Sequence, residues 1–147
     1  MTLPATLTET PAPDDEAAIR QALAASNAEA SGWGADRRKL AIPLRDEAGA
    51  VVGGLLGRTS WDWLYIENFV VPPALRGQGI GARLLAMAEA EARARGCVGA
   101  RLDTYSFQAR PFYERHGYVV AGAIPDCPPG HTRYTLFKRL DGSRGGK

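Results

Sequence analysis

The amino-acid sequence predicts an α+β domain in which a three-stranded antiparallel meander precedes a long helix. Three runs between residues 39 and 71 are strand-like, with alternating, β-branched or aromatic side chains and turn residues between them. A glycine-rich segment follows at residues 76–81, and a helical period of apolar residues begins directly after it. The complete predicted order of elements is β-α-β-β-β-α-β-α-β-β.

The N-terminal region is predicted to hold a short strand and one helix. Residues 5–10 alternate loosely between apolar and polar side chains, which favours a first strand. The helix is expected to begin at a group of acidic residues that suits the positive end of a helix dipole: Asp14, Asp15 and Glu16. Ile19, Ala22 and Leu23 fall on one face of this helix, which is expected to extend to about Ala30.

The meander is predicted from three runs that end at turn residues or prolines. The first, residues 39–45, contains Pro43, and because proline cannot donate to a ladder this strand is expected at a sheet edge. The second covers residues 51–58. The third, residues 63–71, has the strongest β composition and is stopped by the two prolines that follow it.

Two helices and three strands are predicted after the glycine-rich segment. The first helix covers residues 80–95 and ends at Gly96, a favourable C-cap. Its apolar face is expected to consist of Ile80, Leu84, Met87, Ala88 and Ala92. Glu89 is expected on another face. The remaining elements are a strand, a short helix and two closing strands at residues 98–105, 107–116, 118–124 and 131–140, and the tail beyond Leu140 is expected to fray.

Size and charge limit the function classes. The chain has 147 residues, which suits one domain over residues 1–147 with an ordered part over about 5–140. It carries 18 basic and 16 acidic side chains, a balance that provides no strong field for nucleic acid or an anionic membrane. The sequence shows no secretory signal, membrane-spanning run or metal-binding motif. A cytoplasmic protein without a bound metal is therefore expected.

The segment from Arg76 to Gly81 is typical of an anion-binding loop. It opens a helix, and the first N–H groups of a helix have no partner within it and lie at the positive end of its dipole. Glycine at positions 77, 79 and 81 lets a phosphate approach the backbone closely. Arg76 adds a fixed positive charge that can hold two phosphate oxygens.

Other phosphate-binding loops fit this segment less well. A Walker loop needs Gly-Lys-Ser/Thr, which is absent. A kinase glycine loop joins two strands, whereas this loop opens a helix. The dinucleotide fingerprint is met only with Ala82 as its third small residue, and a meander stands where its first βαβ unit should be. A glycine-rich connection that binds no ligand stays an alternative at this point.

Two motifs together resemble those of the GNAT superfamily of N-acetyltransferases. The acetyl-CoA motif of that family, Arg/Gln-x-x-Gly-x-Gly/Ala, is matched by Arg76, Gly79 and Gly81. A second motif, Ala-x-x-Phe-Tyr-Glu-x-x-Gly-Tyr/Phe, is matched over residues 109–118. The resemblance implies a three-layer α/β sandwich with a mixed, mostly antiparallel central sheet flanked by helices. It also implies transfer of an acetyl group from acetyl-CoA to a primary amine, by direct attack in a ternary complex.

The resemblance assigns roles to residues around both motifs. Tyr113 is the expected acid, because its phenol would protonate the departing CoA sulfur. Backbone N–H groups near the end of the third meander strand are expected to hold the thioester oxygen. Many members carry Asn where this chain has Ser106, so Ser106 or Gln108 is expected to hold the pantetheine arm. The complete set expected to bind acetyl-CoA is Phe69, Val70, Val71, Arg76, Gly77, Gln78, Gly79, Ile80, Gly81, Ala82, Ser106, Gln108 and Tyr113.

Glu67 is the favoured general base. A period of two predicts that it shares a strand face with Phe69 and Val71, from which it could accept a proton directly or through a water. A solvent-facing carboxylate without a role is an equal alternative. The residues expected to contact the acceptor are Trp63, Asp103, Tyr105 and His131, and Trp61 is considered beside Trp63. Packing on the sheet is the alternative for the tryptophans, and a plain loop histidine is the alternative for His131.

The identity of the acceptor is left open by the sequence. A peptide N-terminus, a lysine, an aminoglycoside and a small metabolite amine all remain candidates. A non-catalytic acyl-CoA-binding module is the main alternative to an enzyme, and the charge balance disfavours a nucleic-acid binder. A homodimer through the C-terminal strands is also considered.

Overall fold

A computed structural model describes residues 2–142 of the chain. The chain divides into two compact units, Met1–Ala35 and Asp36–Lys147. The predicted fraying of the C-terminal tail concerns mainly residues 143–147, which lie outside the described residues. The single domain predicted from the sequence stays a prediction.

The N-terminal unit consists of an extended segment and helix α1 (Pro13–Ser31). Proline at the start and acidic residues in the first turn favour this helix, which ends at Gly32 in a left-handed conformation (φ 78°). The predicted strand at residues 5–10 is wrong, since these residues are exposed and belong to no strand. Leu7 is the one large apolar side chain in the segment and is fully exposed, so the segment has no apolar face to bury.

The second unit contains a six-stranded sheet. Its strands are β1 (Arg38–Arg45), β2 (Val51–Ser60), β3 (Trp63–Val70), β4 (Gly99–Tyr105), β5 (Val119–Pro125) and β6 (Thr132–Arg139). Their order across the sheet is β1-β2-β3-β4-β6-β5. All neighbours are antiparallel except β3 and β4, which are parallel. The predicted mixed and mostly antiparallel sheet is confirmed, as is the edge position of β1 with its proline.

Helices α2 (Ile80–Ala94) and α3 (Arg110–Arg115) share one apolar core with the sheet. The strands contribute side chains such as Leu64, Leu102 and Leu136, all 1% exposed or less. Leu85 of α2 and Tyr113 of α3 belong to the same cluster. Helix α3 contacts strand β3 through aromatic rings, since Phe112 and Tyr113 both pack against Phe69.

The buried face of α2 differs from the prediction at three positions. Met87 is 48% exposed, whereas Leu85 and Glu89 are buried. The Glu89 carboxylate accepts a hydrogen bond from the hydroxyl of Tyr118 (2.9 Å) and pairs with the ammonium of Lys138 (2.8 Å). A buried carboxylate is stable only when such partners compensate its lost hydration, and both partners come from distant parts of the chain.

Among residues 2–142, none of the helices has the combination of length and apolar character that crossing a membrane requires. Within the same range, no three side chains of His, Cys, Asp or Glu come together as a possible metal site.

Candidate active site

The parallel strands β3 and β4 pair over only part of their length. Residues 63–66 pair with residues 99–102. Beyond that point β3 continues to pair with β2, and β4 continues to pair with β6. Because the two strands separate, a cleft of about 1150 Å³ opens between their ends and extends to the start of α2 and along α3.

A β-bulge in β3 lies where the separation begins. Asn68 pairs with Leu56 and Ile66 pairs with Gly57, so Glu67 is an extra residue without a partner in β2. A bulge bends its strand and increases the local twist. The bulge therefore helps to turn the end of β3 away from β4.

The bulge also overturns the predicted orientation of Glu67. Phe69 packs its ring 6.2 Å from the ring of Tyr113. The Glu67 carboxylate instead lies 2.9 Å from the guanidinium of Arg58, which in turn lies over the ring of Tyr65. The extra residue shifts the alternation of the strand by one, so Glu67 does not share a face with Phe69. Both residues nevertheless line the cleft.

The predicted anion-binding loop lies at one end of the cleft. Gly77 and Gly79 have φ angles of 80° and 76°, and a Cβ at either position would meet nothing within 4 Å. No side chain caps α2, and its first turn carries no acidic residue. The N–H of Arg83 is the first to bond back to the carbonyl of Gly79, so those of residues 80–82 have no partner within the helix. These donors and the positive end of the dipole are available to an anion.

Arg76 is held at the mouth of this loop by a backbone contact. Its Nε donates to the carbonyl oxygen of Val71, the residue directly after β3, over 3.0 Å. The two terminal nitrogens of the guanidinium make no hydrogen bond with any residue from 2 to 142, so they remain as donors for a ligand. Gln78, between the two loop glycines, is exposed and does not line the cleft.

Tyr113 lines the cleft with a buried ring and with a hydroxyl that forms no hydrogen bond to any of residues 2–142. Its side chain is 8% exposed and packs against the rings of Phe69, Phe112 and Tyr118. No group among the described residues hydrogen-bonds to its hydroxyl. Burial raises the pKa of Tyr113 to about 12, so the phenol stays protonated throughout the physiological range.

The structure distinguishes between the two candidates for the pantetheine contact. Gln108 lines the cleft, and its Oε1 accepts from the N–H of Tyr105 (3.1 Å) and the hydroxyl of Thr104 (3.2 Å). This arrangement leaves the amide nitrogen as the remaining donor. Ser106 does not line the cleft, because its hydroxyl accepts from the N–H of Thr132 (3.0 Å) beside the β5–β6 hairpin.

Asp103 reaches the cleft but is fully engaged within the sheet. It accepts hydrogen bonds from Thr135 (2.7 Å), Arg133 (2.8 Å) and Tyr65 (3.1 Å). Desolvation by burial would raise the pKa of Asp103, but these hydrogen bonds outweigh it and hold the pKa below its ordinary value. Its charge is compensated, so it is a weak anchor for a cationic amine.

Three further candidates lie outside the cleft. Trp63 packs against Gly99 and against the ring of Phe137, 6.4 Å away, which agrees with the packing alternative. Trp61 lies in the β2–β3 turn with a positive φ of 52°. The ring of His131 packs against the ring of Phe107, with centroids 4.9 Å apart. Phe107 lines the cleft and His131 does not.

The cleft thus brings together most of the predicted site. The predicted residues that line it are Glu67, Phe69, Val70, Val71, Arg76, Gly77, Gly79, Ile80, Gly81, Ala82, Asp103, Tyr105, Gln108 and Tyr113. Those that do not are Trp63, Gln78, Ser106 and His131.

Comparison with known proteins gives the family. The profile of the Acetyltransferase (GNAT) family matches residues 6–118. The chain belongs to the GNAT acetyltransferase family. It is 45% identical over 125 residues to acetyltransferase Atu2258 of Agrobacterium fabrum, covering 85% of this chain and 90% of that protein. It is 47% identical over 95 residues to blasticidin-S acetyltransferase of Streptomyces morookaense, covering 64% and 70%.

Solved structures agree with the assignment of this chain to the GNAT family. A candidate acetyltransferase from Agrobacterium tumefaciens superposes with a TM-score of 0.85 at 42% identity, covering 93% of this chain and 99% of that one. A candidate streptothricin acetyltransferase from Bacillus anthracis, solved with acetyl-CoA, shares the fold with a TM-score of 0.62 at 21% identity, covering 74% and 66%. The family, the fold class and the acetyltransferase activity predicted from the sequence are confirmed.

Sequence reasoning missed several residues of this acetyltransferase that line the cleft. They include Phe107, Phe112, Arg115 and His116. His116 directly follows α3 and lies four residues after Phe112, a spacing that places both side chains on the same side of a helix. Their ring centroids are 4.5 Å apart. Helical spacing from Phe112 could have found His116. No local pattern marks Phe107.

Proposed function

We propose that this protein transfers the acetyl group of acetyl-CoA to a primary amine of a small molecule, by direct attack in a ternary complex. The observation that carries the proposal is one cleft that combines two sets of donors. They are the N–H groups of residues 80–82, which have no partner within α2, and the hydroxyl of Tyr113, to which none of residues 2–142 hydrogen-bonds. The similarity to blasticidin-S acetyltransferase supports a small-molecule acceptor.

The cleft fits acetyl-CoA in three respects. The open backbone at Gly77 and Gly79 lets a diphosphate reach the amides of residues 80–82, and Arg76 adds charge. The edges of β3 and β4 that lose their mutual pairing can bond to the amide groups of the pantetheine arm. Gln108 offers its amide nitrogen there. Acetyl-CoA supplies the acetyl thioester, and the N–H groups of residues 69–71 would stabilise the oxyanion.

Tyr113 would act on the departing sulfur. A phenol with a pKa of about 12 remains a hydrogen-bond donor at every working pH. An ordinary thiol has a pKa of about 8.5, which makes complete proton transfer from such a phenol unfavourable in water. However, the burial that raises the pKa of Tyr113 also disfavours a thiolate formed in the same cleft, so the hydrogen bond to sulfur strengthens as the C–S bond breaks.

Glu67 would take the proton that the amine loses. The nitrogen forms a bond to the carbonyl carbon, the C–S bond breaks, one proton leaves the nitrogen and one reaches the sulfur. The ion pair with Arg58 holds the Glu67 carboxylate at the cleft wall, where it can accept the proton through a water.

A screen of amines tests the proposal. The protein is incubated with acetyl-CoA and single acceptors from four groups: nucleoside-type and other small metabolite amines, aminoglycosides, lysine derivatives and peptide N-termini. Thiol release is followed with a chromogenic reagent, and acetylated product by mass spectrometry. We expect saturable release with a small-molecule amine. Binding of coenzyme A without thiol release for any acceptor would contradict transfer and favour the non-catalytic module.

The homodimer and the cytoplasmic location stay predictions. Strand β5 forms one edge of the sheet, and all seven of its residues are exposed. An edge strand with apolar side chains is a surface on which a second copy can pair. Light scattering after size exclusion measures whether the protein is a dimer in solution.

A further inference from the structure

The cleft has a second positive position that the sequence did not single out. Arg115 and His116 line it at the end of α3. Arg115 is exposed and forms no ion pair or hydrogen bond through its side chain with any residue from 2 to 142. Arg110, on the same helix, is instead paired with Glu114 at 3.2 Å and does not line the cleft. An arginine that lines a cleft without a carboxylate partner is suited to bind an anion.

His116 has a fixed ring beside this arginine. Its Nδ1 lies 2.8 Å from the carbonyl oxygen of Phe112. A carbonyl oxygen only accepts, so Nδ1 carries a hydrogen and Nε2 is the nitrogen left for a ligand. Nε2 accepts from a protonated phosphate oxygen when the ring is neutral, and donates to an ionised one when the ring is an imidazolium. The ring also packs against that of Phe112 with centroids 4.5 Å apart, which limits its rotation.

This position is close to the anion-binding loop but separate from it. A Cβ placed on Gly81, in the first turn of α2, would lie 3.4 Å from the ring of Phe112. The same ring contacts His116 on α3. One aromatic ring therefore lies between the first turn of α2 and His116, a separation that a ligand with two phosphate groups can span.

Acidic side chains are confined to another part of the cleft. Among the described residues that line it, Glu67 and Asp103 are the acids. Glu67 lies on β3 and forms an ion pair with Arg58. Asp103 lies on β4 and forms an ion pair with Arg133. No carboxylate among the described residues lines the cleft beside Arg115. The charge distribution therefore favours a ligand whose phosphates all lie towards the helices.

We propose that Arg115, assisted by His116, binds the 3′-phosphate of the ribose in coenzyme A, and so makes the protein select coenzyme A over dephospho-coenzyme A. Coenzyme A carries this monoester in addition to its diphosphate, and the two positive positions of the cleft match these two groups. The proposal rests on the proposed use of acetyl-CoA.

Titration calorimetry with coenzyme A and dephospho-coenzyme A tests this assignment without relying on turnover. For the unaltered protein we expect dephospho-coenzyme A to bind about tenfold more weakly, the effect of losing one charge-assisted contact. Arg115→Gln should weaken coenzyme A by about the same factor and leave dephospho-coenzyme A unchanged. Arg115→Lys should keep part of the preference, and the preference should shrink in high salt.

Arg110→Gln is the matched control, since it removes the same charge from the same helix outside the cleft. It should leave the preference intact. Equal binding of the two ligands by the unaltered protein, or equal weakening of both by Arg115→Gln, overturns the 3′-phosphate site while the proposed acetyl transfer stands. Absence of binding for both ligands overturns the proposed function and this assignment with it.

Discussion

Tyr113 and Tyr118 pack ring against ring, 5.9 Å apart, yet their hydroxyl groups have opposite surroundings. The Tyr118 hydroxyl donates to the buried carboxylate of Glu89, which also pairs with Lys138. Burial and this carboxylate raise the pKa of Tyr118 well above its ordinary value. The Tyr113 hydroxyl has no partner among the described residues, and burial alone raises its pKa to about 12.

The difference separates a stabilising tyrosine from a reactive one. Among the described residues no buried side-chain oxygen lacks a hydrogen-bond partner, so the Tyr113 hydroxyl, which has no partner there, is not itself buried. Tyr113 lines the cleft and Tyr118 does not, so this hydroxyl is open to a ligand in the cleft. Removing each hydroxyl should therefore have opposite consequences for catalysis and for folding.

The largest expected effect is on turnover by Tyr113→Phe. Loss of a donor to the leaving sulfur should lower kcat by about 100-fold, within the range of a general acid. The affinity for coenzyme A and the melting temperature should change little, because the hydroxyl makes no internal hydrogen bond with the described residues. In the unaltered protein, ionisation of this phenol should not lower kcat between about pH 8 and pH 10, since its pKa is about 12. Unchanged kcat in the variant would remove Tyr113 from the mechanism.

Tyr118→Phe should show the reverse pattern. It leaves one oxygen of the buried Glu89 carboxylate without a donor, which should cost about 1–3 kcal/mol of the free energy of unfolding. Because Tyr118 does not line the cleft, kcat should stay within about twofold of the unaltered value. Urea unfolding and steady-state kinetics measure the two quantities. A drop in kcat without a loss of stability would break the comparison between the two tyrosines.

The two ends of α2 provide a second matched pair. Gly79 and Gly96 have φ angles of 76° and 83°, and a Cβ added at either position would meet nothing within 4 Å. Alanine at either position should cost roughly 1–2 kcal/mol of stability through left-handed strain. Only Gly79→Ala should also raise KM for acetyl-CoA, by about tenfold, because its methyl group occupies the phosphate approach. Equal KM values in the two variants would count against the loop.

The smallest effect is expected from Asp103→Asn, and it depends on pH. The hydrogen bonds that lower the pKa of Asp103 stabilise the folded state above the unfolded pKa of 3.8, and this contribution is lost as the pH falls through the folded value. The variant should therefore be less stable than the unaltered protein at pH 6, and the difference should shrink towards pH 3. Thermal melts across this range measure it. A difference that does not depend on pH would show that the carboxylate charge has no part in the network.

Local pattern was enough to predict much of the second unit. The strands and helices from Arg38 onwards lie within a few residues of their predicted bounds, and the glycine loop has the conformation that its composition requires. The predicted strand at residues 5–10 was wrong, because an alternating segment with a single large apolar side chain provides no face to bury. The candidate site was predictable where a single motif contained its residues, as in the loop and at Tyr113.

By itself, therefore, the sequence determined the order of elements from Arg38 onwards, the loop and the family, since these depend on neighbours along the chain. Tertiary structure alone decided how the carboxylates of Glu89 and Glu67 are engaged. Glu89 is buried because Tyr118 and Lys138, 29 and 49 residues away, reach it. Glu67 lies on the opposite face of β3 from Phe69 because the β-bulge leaves it as an extra residue in the pairing of β2 with β3. Such contacts join distant segments, and their geometry is fixed only when the sheet and its helices pack together.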